Sequence, residues 1–277
     1  DLAGDWPLEK VTSALTRFAD TALDFAITSA FAEREQAPAG LTALALGKMG
    51  SFELNYSSDI DLIFLHDSET LPHRAGEDPT EAAVRIVRRV SNLLSERTGD
   101  GYALRVDLRL RPDPDSTPSS LPIGAAEHYY QSQALAWERS AFIRARAAAG
   151  DIAMGQAFLK AIDPFIWRRS LDYSALAEIR EVSHQIRDHF GEVEKLGPGF
   201  DLKRGRGGIR ECEFYAQVHQ MIFGGRDPSL RRRGPPAALD ALAAAVAIGA
   251  SDAADLGAAY DRLREAEQAF VHVLDRQ

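Results

Sequence analysis

The stretch Leu44–Phe64, LALGKMGSFELNYSSDIDLIF, decides how the rest of the chain is read. Leu44-Ala45-Leu46 is a short apolar run that stops at Gly47, and Gly50-Ser51 follow after a lysine and a methionine. A buried strand breaking into a tight turn is the expected structure. Asp59-Ile60-Asp61-Leu62-Ile63-Phe64 then alternates before turning wholly apolar, the pattern of a strand that enters a core from a polar end. Side chains repeat every two residues along a strand, so Asp59 and Asp61 share a face. Two carboxylates this close repel unless a cation lies between them, and hard oxygen ligands suit magnesium.

A second segment carries a related pattern. Tyr102–Arg111, YALRVDLRLR, alternates so that Tyr102, Leu104, Val106, Leu108 and Leu110 face one side and Arg105, Asp107, Arg109 and Arg111 the other. The spacing predicts a half-buried strand over its whole length. Asp107 is then the candidate third carboxylate, with the flanking arginines gripping phosphate. A solvated sheet face laced with ion pairs has the same pattern.

Composition narrows the function classes. The chain has 277 residues, enough for one large domain or two ordinary ones, and a net charge of -9, which argues against nucleic-acid or acidic-membrane binding. No apolar run is long enough to span a bilayer, and the single cysteine, Cys212, permits no internal disulfide, so the expected location is cytoplasmic. Cys212 is read as a small buried hydrophobe. Lys10, Lys48, Lys160, Lys195 and Lys203 are the only lysines, and the many arginines cluster in short segments. Planar guanidinium forks favour bidentate contacts to phosphate or carboxylate. No methionine opens the sequence, which reads as a piece of a longer protein.

Around these segments the sequence predicts mostly helix. Leu8, Val11, Leu15, Phe18, Ala22 and Phe25 recur at three- and four-residue steps, giving an amphipathic helix from about Pro7 to Glu35 with these residues inward. Thr80 is the expected cap of a helix with Ala83, Val84, Val87, Val90 and Leu94 buried. Ile123–Gly150 is read as helical with a short break, and Arg139, Arg144 and Arg146 as facing either a nucleotide or water. A helix is predicted over Asp172–Phe190, and a short strand at Phe200–Lys203 leading into the glycine cluster Gly205–Gly208. Free amides before a helix can bind an anion.

Taken together, GKMGSFELNYSSDIDLIF, GYALRVDLRLRP, EHYYQSQALAWERSAFIRAR, DLKRGRGGIRECEF and FGGRDPSLRRRG resemble the bifunctional glutamine synthetase adenylyltransferase/adenylyl-removing family of the nucleotidyltransferase superfamily. Members carry two nucleotidyltransferase copies, of which this chain holds one. Gly-Gly-Ile-Arg-Glu-Cys-Glu-Phe, with Arg210, and the tract Glu127–Gln131 are similar to the N-terminal, adenylyl-removing copy. Asp113–Pro118 departs from the family, which often has a glycine shortly after Arg-Leu-Arg-Pro.

The resemblance implies an α+β fold: a nucleotidyltransferase mixed sheet with helices, followed by a mainly α-helical domain. The corresponding division is an N-terminal helix over 1–40, a catalytic core over 41–122 and a helical domain over 123–277, with the active site in the cleft between core and helical domain. It also implies phosphorolysis of adenylyl-tyrosine on glutamine synthetase to ADP, with a PII-type signal protein as a further partner. Asp59, Asp61 and Asp107 would be the catalytic ligands of two Mg2+ ions, with Mn2+ an alternative. Gly47, Gly50, Ser51 and Ser58 would contact the nucleotide's phosphates, and Arg109, Lys203 and Arg210 the attacking phosphate or the nucleotide. The alternatives are adenylyl transfer from ATP, a related uridylyltransferase, and a non-catalytic regulatory module.

Overall fold

The computed structural model describes residues 5–169, 197 and 200–274. Two compact units divide the chain: residues up to 134 together with 144–163, and residues 135–143 together with those from 164 on. The helix predicted over Asp172–Phe190 and the breaker at Pro198-Gly199 lie outside the described residues.

In the first unit, helix α1 (Leu8–Ala32) precedes strand β1 (Leu41–Ala45), the single turn α2 (Gly47–Gly50) and strand β2 (Ile60–His66). Helix α3 (Pro79–Ser95), the two-residue strand β3 (Val106–Asp107), strand β4 (Ser120–Pro122) and helix α4 (Ile123–Ser132) come next. Helix α5 (Ala136–Phe142) belongs to the other unit, after which strand β5 (Arg146–Gly150) and helix α6 (Ile152–Ala161) complete this one. The sheet order is β3-β2-β1-β5, with β4 also on β2. β1 runs antiparallel to β2 and β5, whereas β3 and β4 run parallel to β2, so the fold is α+β with a mixed sheet. All five residues of β1 are buried, as are all but Asp61 in β2, and each fully buried Leu, Ile or Phe contributes about 1.5–3 kcal/mol.

Several sequence expectations are corrected here. Ile123–Gly150 is not helical throughout, because its alanine-rich end forms β5. Alanine favours helices in isolation, but pairing with β1 overrides that preference. The first compact unit takes in α1, α4, β5 and α6 together with the rest of the sheet. Helix α1 is present with Val11 buried and Leu15 and Ala22 packed against the core as expected, but its inward face centres on Thr12, Thr16, Ala19, Leu23, Ala26, Ile27 and Ala30, while Phe18 and Phe25 are 56% and 74% exposed. Small residues let the helix approach the sheet closely, and the buried Thr16 hydroxyl donates to Thr12 O (2.8 Å) while accepting from Leu54 N–H (3.3 Å). Asp78 rather than Thr80 caps α3, accepting from the N–H groups of Thr80 and Glu81 at 2.9 and 3.1 Å. Arg139, Arg144 and Arg146 are all buried, and Arg146 bonds Asp20 of α1 at 2.7 Å and Met49 O at 3.0 Å.

Helix α7 (Asp163–Ile166) leads into the second unit, which also contains α8 (Ile209–Phe223), a 3-10 turn at Pro228–Leu230, α9 (Pro235–Ala244) and α10 (Ala250–Leu274). Ala216, Leu230, Leu239 and Leu242 form one core cluster, and Ile209, Cys212 and Tyr260 another. Cys212 is buried as expected, and burial raises its thiol pKa. Phe200–Lys203 is a turn rather than a strand, since the Asp201 carboxylate accepts from the N–H groups of Lys203 and Arg204 at 2.9 Å each. Among the described residues no helix is long and apolar enough to cross a membrane.

One buried group makes stability depend on pH. His66 closes β2 at 0% exposure, with Nδ1 3.0 Å from Ser120 Oγ and Nε2 3.4 Å from Thr80 Oγ1. Burial lowers its pKa, against the opposing fields of Asp78 and Asp67. The unfolded chain therefore takes up this proton more readily than the folded one. The contribution is complete above the unfolded value of about 6.5 and is lost as pH falls below it, at no more than about 1.4 kcal/mol per pH unit. Urea unfolding followed between about pH 7.5 and 5.5 should show this slope, and His66→Gln should flatten it.

Candidate active site

Sheet register brings two of the three carboxylates side by side. Asp61 pairs directly with Asp107 across the parallel β2/β3 ladder, so their side chains leave the same face of strands about 4.8 Å apart. Asp59 immediately precedes β2, where Ile60 N–H donates to Arg105 O at 2.8 Å, and its carboxylate is held by the Arg105 side chain. The fields of both Asp59 and Asp61 reach the Arg109 guanidinium, which is hydrogen-bonded to Asp107.

Each of two carboxylates has an arginine on it. Arg105 Nε donates to Asp59 Oδ1 at 2.5 Å, and the same guanidinium bonds Ser57 Oγ at 2.9 Å, the Tyr102 hydroxyl at 2.6 Å and Ser57 O. Arg109 donates to Asp107 from its backbone N–H at 2.8 Å and from Nε at 3.0 Å. These hydrogen bonds hold the Asp107 carboxyl below its ordinary range, and Arg109 is raised in turn. They also correct the predicted strand over 102–111. Asp107 captures the N–H two residues on, so the chain curls after β3, and Arg111 closes the curl by donating to Leu108 O at 2.8 Å and to Pro114 O at 2.5 Å. Arg111 is thus a loop staple. Sequence reading missed the role of Arg105 in holding Asp59 and the Asn55–Ser58 turn; its only signal was the Arg-x-Asp-x-Arg alternation.

The glycine turn has two different glycines. Gly47 has φ +53°, and a Cβ there would run into Asp61 Oδ2. Gly50 is buried, donates its N–H to Leu46 O at 2.9 Å, and lies so close to Arg144 O that a Cβ would overlap it. Close backbone packing explains the glycine at this position. Ser51 Oγ donates to Glu53 at 2.6 Å, and Ser58 lies half-buried beside Asp59. In the second unit, Lys203 and Arg210 are both exposed, and the N–H of Arg210 donates to Lys203 O at 3.0 Å. Glu211 reaches back to Gly207 N–H at 2.8 Å, fixing the glycine loop, where Gly207 has φ +75°.

A divalent cation can be tested against these residues. The donors are hard oxygens, and the missing Cβ of Gly47 leaves space next to Asp61 Oδ2. In this arrangement the counter-ions are guanidinium groups, and among the described residues no three His, Cys, Asp or Glu side chains close around a single point. As arranged, Asp59 and Asp107 are each held by an arginine, and the observation in favour of an ion is the hard-oxygen chemistry of the donors.

Comparison with known proteins gives the lineage. Residues 1–161 match the family model of glutamate-ammonia ligase adenylyltransferase, and residues 177–277 that of PII-uridylyltransferase. A bifunctional glutamine synthetase adenylyltransferase/adenylyl-removing enzyme of Caulobacter vibrioides is 48% identical over the whole chain, and that of Bradyrhizobium diazoefficiens 43%. That of Rhizobium meliloti is 47% identical over 86% of the chain and 24% of its own length. This chain spans 29% of the length of the first two relatives. With a family-model match over more than half its length and relatives 43–48% identical over the whole chain, the chain belongs to the glutamate-ammonia ligase adenylyltransferase family of nucleotidyltransferases.

Proposed function

We propose that this chain is the adenylyl-removing copy of such an enzyme and catalyses phosphorolysis of adenylyl-tyrosine on glutamine synthetase. An oxygen of inorganic phosphate attacks the phosphorus of the adenylyl group, the bond from that phosphorus to the tyrosine oxygen breaks, and ADP and the tyrosine hydroxyl result. The observation that carries this reading is the register pair Asp61–Asp107, with Asp59 two residues before Asp61 in sequence. Two Mg2+ or Mn2+ ions held by Asp59, Asp61 and Asp107 would offset charge on the attacking and leaving oxygens.

The chain's own residues orient and position. Arg105 aims Asp59, and Gly47 leaves room for Asp61. Arg109, 82% exposed, is placed to turn from Asp107 to an incoming phosphate. Ser51 and Ser58 flank the same turn, and the exposed Lys203 and Arg210 supply further positive charge for phosphate or nucleotide. The Arg210-Glu211 pair, as in the adenylyl-removing motif, supports this direction over transfer. The match of residues 177–277 to a PII-uridylyltransferase model supports a PII-type protein as regulator. The single cysteine suits a cytoplasmic protein.

Incubation of the 277-residue chain with adenylylated glutamine synthetase, Mg2+ and phosphate should yield ADP and unmodified synthetase. Pyrophosphate released from ATP with unmodified synthetase, and no ADP from the adenylylated form, would assign the reverse modification instead.

A further inference from the structure

The second unit gathers arginines from three separated segments. A Cβ on Gly225 would overlap the carbonyl of Arg168, and Arg226 Nε donates to Arg169 O at 3.1 Å. Arg231 Nε donates to Gly224 O at 2.8 Å while its guanidinium lies 5.2 Å from the centre of the Trp167 ring. Buried Gln220 donates to Leu230 O and Arg232 O at 2.7 Å each, which fixes the turn that carries Arg232. The backbone anchors therefore force Arg168, Arg169, Arg226 and Arg232 together, all four exposed.

None of these four side chains is in an ion pair among the described residues. The one acid in the span 224–233, Asp227, caps its own turn by accepting from Ser229 N–H at 2.9 Å. Such a concentration of positive charge stands out on a chain of net charge -9. Like charges held close repel, and an anionic partner relieves that repulsion.

An aromatic ladder runs into the same place. On α8 the Tyr215 and His219 rings are 4.4 Å apart, His219 stacks on Phe223 at 6.4 Å, and Phe223 is 38% exposed. The Phe223 carbonyl accepts from the N–H groups of Arg226 and Asp227 at 3.0 Å, so ladder and arginines are contiguous. Arginine with aromatics, and almost no lysine, is the composition of protein–protein contact surfaces.

We infer that this arginine-aromatic surface docks an acidic face of the protein substrate, separately from the chemistry at the carboxylates. The partner's identity rests on the function proposed above. The overall negative charge disfavours nucleic acid, the other class of molecule that arginine and aromatic side chains receive.

The test compares Arg168→Glu/Arg232→Glu with Arg168→Lys/Arg232→Lys in the 277-residue chain, since among the described residues neither side chain makes a hydrogen bond or ion pair. The Glu pair should raise KM for adenylylated synthetase about tenfold or more with kcat within about twofold, and weaken direct binding equally. It should also flatten the fall in binding between about 0.05 and about 0.2 M salt. The Lys pair should bind within about threefold of wild type, and phosphorolysis of free adenylyl-tyrosine should be unchanged in both. Unchanged binding of the Glu pair to synthetase overturns the inference, as does a loss confined to single-stranded nucleic acid. If wild type binds synthetase through these arginines yet forms no ADP, the docking surface stands and the assigned reaction falls.

Discussion

Asp61→Asn should lower the rate of ADP formation from adenylylated glutamine synthetase by at least about 10³-fold, or about 4 kcal/mol of barrier. The substitution keeps the size of the side chain and removes one charged oxygen from the face that Asp61 shares with its register partner Asp107. A cation that needs both carboxylates loses a ligand. The fold should survive, because neutralising one of three neighbouring acids lessens their repulsion, and the hydrophobic strand beyond Asp61 is untouched. Two measurements check this: single-turnover phosphorolysis, and Mn2+ binding followed by electron paramagnetic resonance without substrate. A rate within tenfold of wild type, with unchanged Mn2+ affinity, would mean that these carboxylates are not the reacting centre.

Gly47→Ala should damage the site by a different route. At φ +53° a non-glycine residue costs about 1–2 kcal/mol, which should appear directly in the urea midpoint. The added Cβ also meets Asp61 Oδ2, the free end of a flexible side chain, so the carboxylate turns away rather than the backbone giving way. Displacing a ligand by about an ångström is enough for a loss of about 10²-fold in rate. The double variant with Asp61→Asn separates the effects: the stability cost should remain in full, while the rate should fall no further than in Asp61→Asn alone. Additive rate losses would show that Gly47 acts on something other than Asp61.

The pairing of Asp61 with Asp107 could be approached from sequence because each stands in a locally alternating segment. Asp59-Ile60-Asp61 declares a shared face through the two-residue strand period, and Asp107 stands in a segment of the same alternation. Periodicity also found α1 and α3, but it could not say which side of α1 faces inward. The bulky Phe18 and Phe25 are the natural choice for a core when only hydrophobicity is counted, yet the sheet accepts the smaller Ala19, Leu23 and Ala26. Arg146 is similar: in sequence it is one more arginine near a motif, whereas in the fold it bridges Asp20 and Met49 O across the sheet unit.

By itself, then, the sequence determined the helix periods and which acids could share a strand face, since each follows from spacing along one segment, while the α+β class followed from the resemblance of its motifs. Tertiary structure alone decided that Arg-Ala-Ala-Ala-Gly becomes β5, that Arg105 and Arg109 sit on Asp59 and Asp107, and that Arg168, Arg226 and Arg232 converge. Those outcomes depend on partners tens of residues away. A strand's pairing, an arginine's counter-ion and a surface's charge are properties of neighbours in space, and no local period encodes them.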